Sequence, residues 1–161
     1  DDLVQGPVDP SWGSSADHAD EFFYGAENWC TNQINDLWVD SNGKTGKDPC
    51  PKGWRVPTRD ELRSLSANYS SWTKDSSEHN GYYFTGEYTY MEGIAKIYLP
   101  AAGSRSRSGG IGDRGGYGYY WSSTLHYSSA NRLFFFSGSS GSVHVDSGYR
   151  AHGCTVRCVQ E

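Results

Sequence analysis

A chain of 161 residues is sized for a single hydrophobic core. Only 35% of it is hydrophobic but 15% is aromatic, so that core must rest on large rings, and this much ring area excludes a disordered chain. A formal charge of −5 argues against broad attraction to nucleic acid or to an anionic membrane, and no apolar run reaches the roughly 20 residues of a transmembrane helix.

The 20 glycines, with abundant Ser and Asn, point to a loop-rich, mostly β architecture whose turns need positive φ. Four cysteines, an even number, suggest disulfides and an oxidising compartment. The opening "DDLVQGPVDP" has no secretory apolar region and reads as the start of a processed or trimmed chain. No internal repeat of fixed period is present, and the whole of residues 1–161 reads as one domain.

Residues 1–28 read as an acidic, irregular N-terminal arm, with a short helix over "SSADHADEFF" capped by Ser15. "DSNGKTGKDPCPKGW" is dense in turn formers. Its Asp40, Asn42 and Asp48 do not follow the spacing of a calcium-binding loop, so the stretch is expected to be a plain loop. In "VPTRDELRSL", Thr58 is followed three residues later by Glu61, a capping box, while Leu62 and Leu65 share a helical face. A helix is expected from Arg59 for two to three turns.

After it come β-prone runs separated by Gly/Ser loops: "GYYFTG", "AKIYLPAAG", "GYYWSST", "RLFFF", "SVHVD" and "TVRCV". One helix followed by many strands describes an α+β fold with a mixed or antiparallel sheet. Between these runs "GSRSRSGGIGDRGG" carries Arg105, Arg107 and Arg114, a local basic exception. It lacks the order of a phosphate-binding loop and is read as a solvated loop.

Between Ile97 and Gln160 there is no Lys and no Glu, while Tyr, Ser, Gly, His, Asp and Arg crowd in. Binding surfaces are built this way, because Tyr offers rigid amphipathic area and Ser and Gly adaptable hydrogen bonding, with Lys and Glu depleted. If Leu133, Phe135, Val143 and Val145 face the core, strand alternation turns Arg132, Phe134, Phe136, His144 and Asp146 outward together. Two exposed phenylalanines beside His144, Asp146 and Tyr149 would form an apolar patch with a polar rim. The opposite register would bury His144 and Asp146 along with the two rings, at greater cost.

The candidate ligand-binding face is therefore the outward side of residues 126–152. Tyr127, Phe134, Phe136 and Tyr149 are its expected anchors. His126, Ser129, Asn131, Arg132, Ser139, Ser140, His144, Asp146, Ser147 and His152 are expected to supply polar specificity. Trp121 is expected in the core.

On the residues alone, Cys154 and Cys158 cannot bridge each other if they share a strand, because roughly 3.3 Å per residue sets them about 13 Å apart. Cys30–Cys154 with Cys50–Cys158, or the crossed pairing, both remain open. Zinc is disfavoured because there is neither a CxxC pair nor a His pair at ligand spacing. No cofactor is expected.

At "DPCPKGWRVPTRDEL", then "YLPAAGSR", "GYYWSST" and the terminal "TVRCV", the chain resembles the Fibrobacter succinogenes major paralogous domain. That domain belongs to the C-type lectin-like group, which also holds the formylglycine-generating enzymes. The resemblance covers about residues 48 to 160. It implies a compact, disulfide-tied C-type lectin-like fold, with short helices, a twisted mostly antiparallel sheet and long Gly/Ser-rich loops, in a secreted or surface-attached bacterial protein. It also implies the pairing Cys30–Cys154 and Cys50–Cys158, since the group ties the segment before a helix to the last strand.

Residues 117–152 resemble the C-terminal variable stretch of proteins diversified by retroelements, which implies a ligand-binding face altered by template-directed mutagenesis. The sequence motifs of a calcium-dependent sugar site are missing, so glycan binding would be metal-independent.

The expected function is extracellular recognition of a protein or glycan on another cell, phage or host surface, with no nucleic acid and no direct membrane insertion. Two other uses of the fold stand beside it. One is a structural cap or tip module of a surface appendage or lipoprotein. The other is a thiol enzyme of the formylglycine-generating kind, against which the spacing of Cys154 and Cys158 and the absence of a convincing base near His152 and Arg157 both argue. No catalytic residue is assigned.

Overall fold

The computed structural model describes residues 2–5, 21–28, 31, 34–65, 70–73, 80–85, 96–127, 130–138 and 140–161, with the side chains of 2–5, 21, 70, 127 and 130–135 excepted. The short aromatic runs of the sequence become two three-stranded antiparallel meanders. One is β6 (Ser70–Thr73), β7 (Gly81–Phe84) and β8 (Ile97–Pro100). The other is β11 (Tyr117–Tyr127), β12 (Ala130–Ser137) and β13 (Val143–Tyr149). Smaller antiparallel pairs are β3 (Val39–Asp40) with β4 (Gly43–Lys44), β9 (Ser104–Arg105) with β10 (Ile111–Gly112), and β5 (Trp54–Arg55) with β14 (Val159–Gln160). The described molecule is thus mostly antiparallel β with one short helix.

That helix, α1 (Arg59–Arg63), begins where the capping box predicts. The Thr58 side chain accepts the Glu61 N–H, and the Glu61 carboxylate accepts the Thr58 N–H at 2.8 Å. It is shorter than the two to three turns expected. The Ser64 hydroxyl bonds back to the Glu61 carbonyl at 2.6 Å and the Leu65 N–H to the Leu62 carbonyl at 3.1 Å, so the last turn tightens and stops. Leu62 nevertheless enters the core, with Leu65 packed beside it.

The core lies where α1 and the two meanders converge: Leu62, Tyr82, Phe84, Leu99, Ala101, Tyr120 and Phe136. Phe136 is fully buried, with Tyr82 edge-on at 5.3 Å, Tyr120 stacked at 6.0 Å, Phe84 at 6.2 Å and Trp72 at 6.4 Å. These rings can approach because two glycines clear the way. A Cβ at Gly118 would collide with the Phe136 ring, and one at Gly138 with the Trp72 indole. Trp121 is buried, as expected.

Cys50 and Cys158 form a disulfide with a Cα–Cα distance of 5.8 Å, joining the segment just before α1 to the segment just before β14. Lys44 secures the same corner. Its ammonium donates to the carbonyls of Cys50 at 2.6 Å, Pro51 at 2.8 Å and Trp54, while the buried Asp48 carboxylate accepts the N–H groups of Cys50 at 2.7 Å and Val56 at 3.0 Å. Asp40 and Asp48 are thereby spent on the chain itself, since Asp40 accepts the Asn42 N–H across the β3–β4 turn at 2.7 Å.

The N-terminal stretch departs from the irregular arm expected. β1 (Asp2–Gln5) pairs in parallel with β2 (Glu21–Tyr24), so Glu21, Phe22 and Phe23 are strand where a helix was read. Ser15 lies outside the described residues. β2 and the turn after it dock on the body, the Gly25 N–H donating to Arg107 at 2.6 Å and the Ala151 N–H to Glu27 at 3.2 Å. Phe22 gains a lid from the Arg105 guanidinium 5.0 Å above its ring, so the pairing and the packing together override the local helical tendency. Among the described residues no helix is long and apolar enough to cross a membrane.

Candidate functional site

The edge strand of the second meander, β13, presents what alternation predicts for it. His144 and Asp146 are exposed, while Val143 and Val145 pack against the core. Tyr149 is exposed at the strand's end and Ser147 is half-buried, its N–H held by the Asp146 carboxylate at 2.8 Å. Ser140 is exposed on the loop before β13, its hydroxyl donating to Ser142 at 2.8 Å. His126 and His152 are half-buried.

The neighbouring strand β12 is set the other way from the expectation. Phe136 pairs with Val143 and position 134 with Val145, while Phe135 pairs with His144 and Leu133 with Asp146. Directly paired residues of an antiparallel sheet share a face, so Phe136 joins the valines and is a core residue, not a surface anchor. The penalty foreseen for that register does not arise, because His144 and Asp146 stay exposed opposite Phe135 and Leu133. The burial of one more ring among Trp72, Tyr82, Phe84 and Tyr120 decides the matter. The side chains of Tyr127, Asn131, Arg132 and Phe134, and the whole of Ser129 and Ser139, lie outside the described residues.

The end of β13 joins a group of residues that the sequence reading set aside. The Arg107 guanidinium lies 4.8 Å from the centre of the Tyr149 ring, and the His152 imidazole meets the same ring edge-on at 5.9 Å. Glu27 stands 3.6 Å from Arg107. The basic β9–β10 hairpin is therefore folded against the end of β13, while residues 107, 108 and 110–114 stay exposed, in keeping with its reading as a solvated stretch. It is pinned by paired backbone bonds between Arg105 and Gly153, at 2.8 and 2.9 Å. Burial, followed by the nearby Arg107 charge, lowers the His152 pKa and favours the neutral ring. The signal in the sequence was the run of arginines itself, but nothing local says that Arg107 reaches Tyr149.

The thiols also differ from expectation. Cys50–Cys158 is present as read, but Cys154 is a free thiol, and its expected partner Cys30 lies outside the described residues. Cys154 and Cys158 do not share a strand. Thr155 runs beside β11 in a parallel bridge to Tyr120, exchanging N–H and C=O bonds of 2.9 Å with Tyr119 and Trp121, and β14 begins only at Val159. This placement leaves Cys154 half-buried, and the desolvation pushes its thiol up to about 12, the reverse of what a nucleophilic cysteine needs. Among the described residues no three His, Cys, Asp or Glu side chains are grouped to hold a metal ion.

Comparison with protein-family models, with curated proteins and with solved structures returns no match to this chain.

Proposed function

We propose that this chain is a non-enzymatic recognition domain with a C-type lectin-like fold, working outside the cell or on its surface. It binds a protein or glycan of another cell, phage or host surface through the face built on β13. The observation that carries the reading is the division of β13 itself: Val143 and Val145 anchor it to the core while His144 and Asp146 stand in solvent on the other face, and Tyr149 is exposed only because the strand ends there. A surface so mounted can change its outward residues without disturbing the packing beneath, which is what a recognition face requires.

Two further features support it. The disulfide from the segment before α1 to the segment before β14 is the tie that the C-type lectin-like resemblance implies. The half-buried thiol of Cys154, raised in pKa by desolvation, disfavours the enzymatic use of that fold.

The resemblance to retroelement-diversified proteins extends the reading to a face that differs between copies. Deep sequencing of the gene from many isolates of one strain tests it. Substitutions concentrated at positions 144, 146, 149 and the other outward positions of 126–152, with Phe136, "WSST" and "TVRCV" unchanged, are the expected result. A uniform stretch would overturn diversification and point to one fixed partner. Substitutions scattered through the buried positions would overturn the recognition face as well.

A further inference from the structure

We infer that the recognition surface extends from Tyr149 onto the β9–β10 hairpin, and that this part of it docks an acidic segment of a protein partner, with Arg107 as the charged anchor and Ile111 as the apolar one. The inference rests on the recognition reading above and names a residue pair and a partner chemistry that the reading leaves open.

The first ground is charge. The chain carries −5 overall, yet residues 103–116 hold Arg105, Arg107 and Arg114 against the single carboxylate of Asp113. A basic projection on an acidic body selects acidic partners.

The second ground is preorganisation. The hairpin tip is closed by the Ser106 N–H to the Gly110 carbonyl and the Gly109 N–H to the Ser106 carbonyl, both 2.8 Å, and its base is clamped to Gly153. Arg107 is held from both sides, its carbonyl by the Gly25 N–H at 2.6 Å and its guanidinium over Tyr149. A guanidinium already oriented by stacking loses little entropy on gripping a carboxylate with its fork.

The third ground is that a carboxylate already stands there. Glu27 lies 3.6 Å from Arg107, with the two side chains 52% and 47% exposed, a loose pair of small net worth that an incoming carboxylate can displace. Ile111, cross-strand from Arg105, is 61% exposed, more than any other large apolar side chain described. An exposed apolar side chain on an arginine-bearing hairpin has the composition of protein-interface anchors, and it favours a protein over an acidic sugar or nucleic acid, which offer Ile111 nothing to cover.

The test uses phage-displayed random dodecapeptides selected on the intact chain, with affinities then measured for purified variants whose melting curves match the parent. Peptides rich in Asp or Glu beside an apolar residue are expected. Their affinity should fall about tenfold or more in Arg107→Ala and in Ile111→Ser, and Arg107→Lys, which keeps the charge but not the fork, should stay weak. Glu27→Ala should bind more tightly, an effect opposite in sign to what mere loss of structure produces.

Several results would overturn the inference: no enrichment, neutral or basic peptides, equal binding by Arg107→Ala, or displacement by a heparin hexasaccharide at concentrations where an acidic peptide of equal charge fails. Peptides whose binding is lost in the double variant His144→Ala, Asp146→Ala but not in the hairpin variants would overturn it while leaving the recognition reading in place. Binding insensitive to both sets would remove both.

Discussion

Phe136 lies directly over Gly118, its cross-strand partner, so closely that any side chain at 118 would occupy the space of the ring. The glycine is what lets the ring turn inward to Tyr120, Tyr82, Phe84 and Trp72. Gly118→Ala is therefore expected to cost about 1–3 kcal/mol by overpacking, and Phe136→Ala about 3–5 kcal/mol by leaving a cavity. Denaturant unfolding of the two variants checks both. A loss below about 0.5 kcal/mol for Phe136→Ala would show that the residue faces solvent after all.

His144→Ala and Asp146→Ala should each change stability by no more than about 0.5 kcal/mol, because both side chains stand in solvent on β13 while Val143 and Val145 hold the strand. The same substitutions should weaken binding to whatever ligand a screen recovers. Melting curves and a binding assay on the same protein samples separate the two effects.

Reducing the Cys50–Cys158 bridge, or replacing both residues by Ser, should cost about 2–5 kcal/mol, toward the upper end because the bridge closes a sequence separation of 108. Thermal unfolding with and without reductant measures it. Cys154 should behave as the opposite kind of thiol. With its pKa pushed up to about 12 by desolvation, its thiolate at pH 8 is far scarcer than that of a solvent-exposed cysteine. Alkylation of Cys154 by iodoacetamide, followed by peptide mass spectrometry, should be slow in the native protein and fast in denaturant. Rapid native alkylation would reopen the enzymatic reading.

Arg55 grips the Glu61 carboxylate with hydrogen bonds of 2.6 and 2.8 Å, and with the Thr58 donors behind it the Glu61 pKa falls from 4.5 to about 2. A depressed carboxylate stabilises the fold fully above its unfolded pKa, and that contribution fades as pH drops from about 4.5 through about 2. Glu61→Gln should therefore be less stable than the parent at pH 7, with the difference shrinking toward pH 2. Because the Glu61 side chain is 40% exposed, added salt should narrow the gap at neutral pH. Urea midpoints across that pH range check the direction.

The features that could be read from the sequence are those whose physical cause lies within a few residues. Thr58 and Glu61 close a capping box across one helical turn, so the start of α1 at Arg59 was legible, and so was the division of β13 from Val143 to Asp146, which strand alternation supplies up to the strand's end, where Gly148 is buried and Tyr149 exposed. What alternation cannot supply is the register between two strands. Whether Phe136 sits with Val143 or with His144 depended on the room at Gly118 and on the rings of Trp72, Tyr82 and Phe84, all brought in from other elements. The stacking of Arg107 on Tyr149, the docking of Glu27 beside it and the isolation of the Cys154 thiol were likewise decided by tertiary structure, because each joins segments whose sequences carry no mark of the other. Local hydrogen bonds and alternation are written along the chain, whereas the shape of the exposed surface around β13 is set by which rings fill the core beneath it.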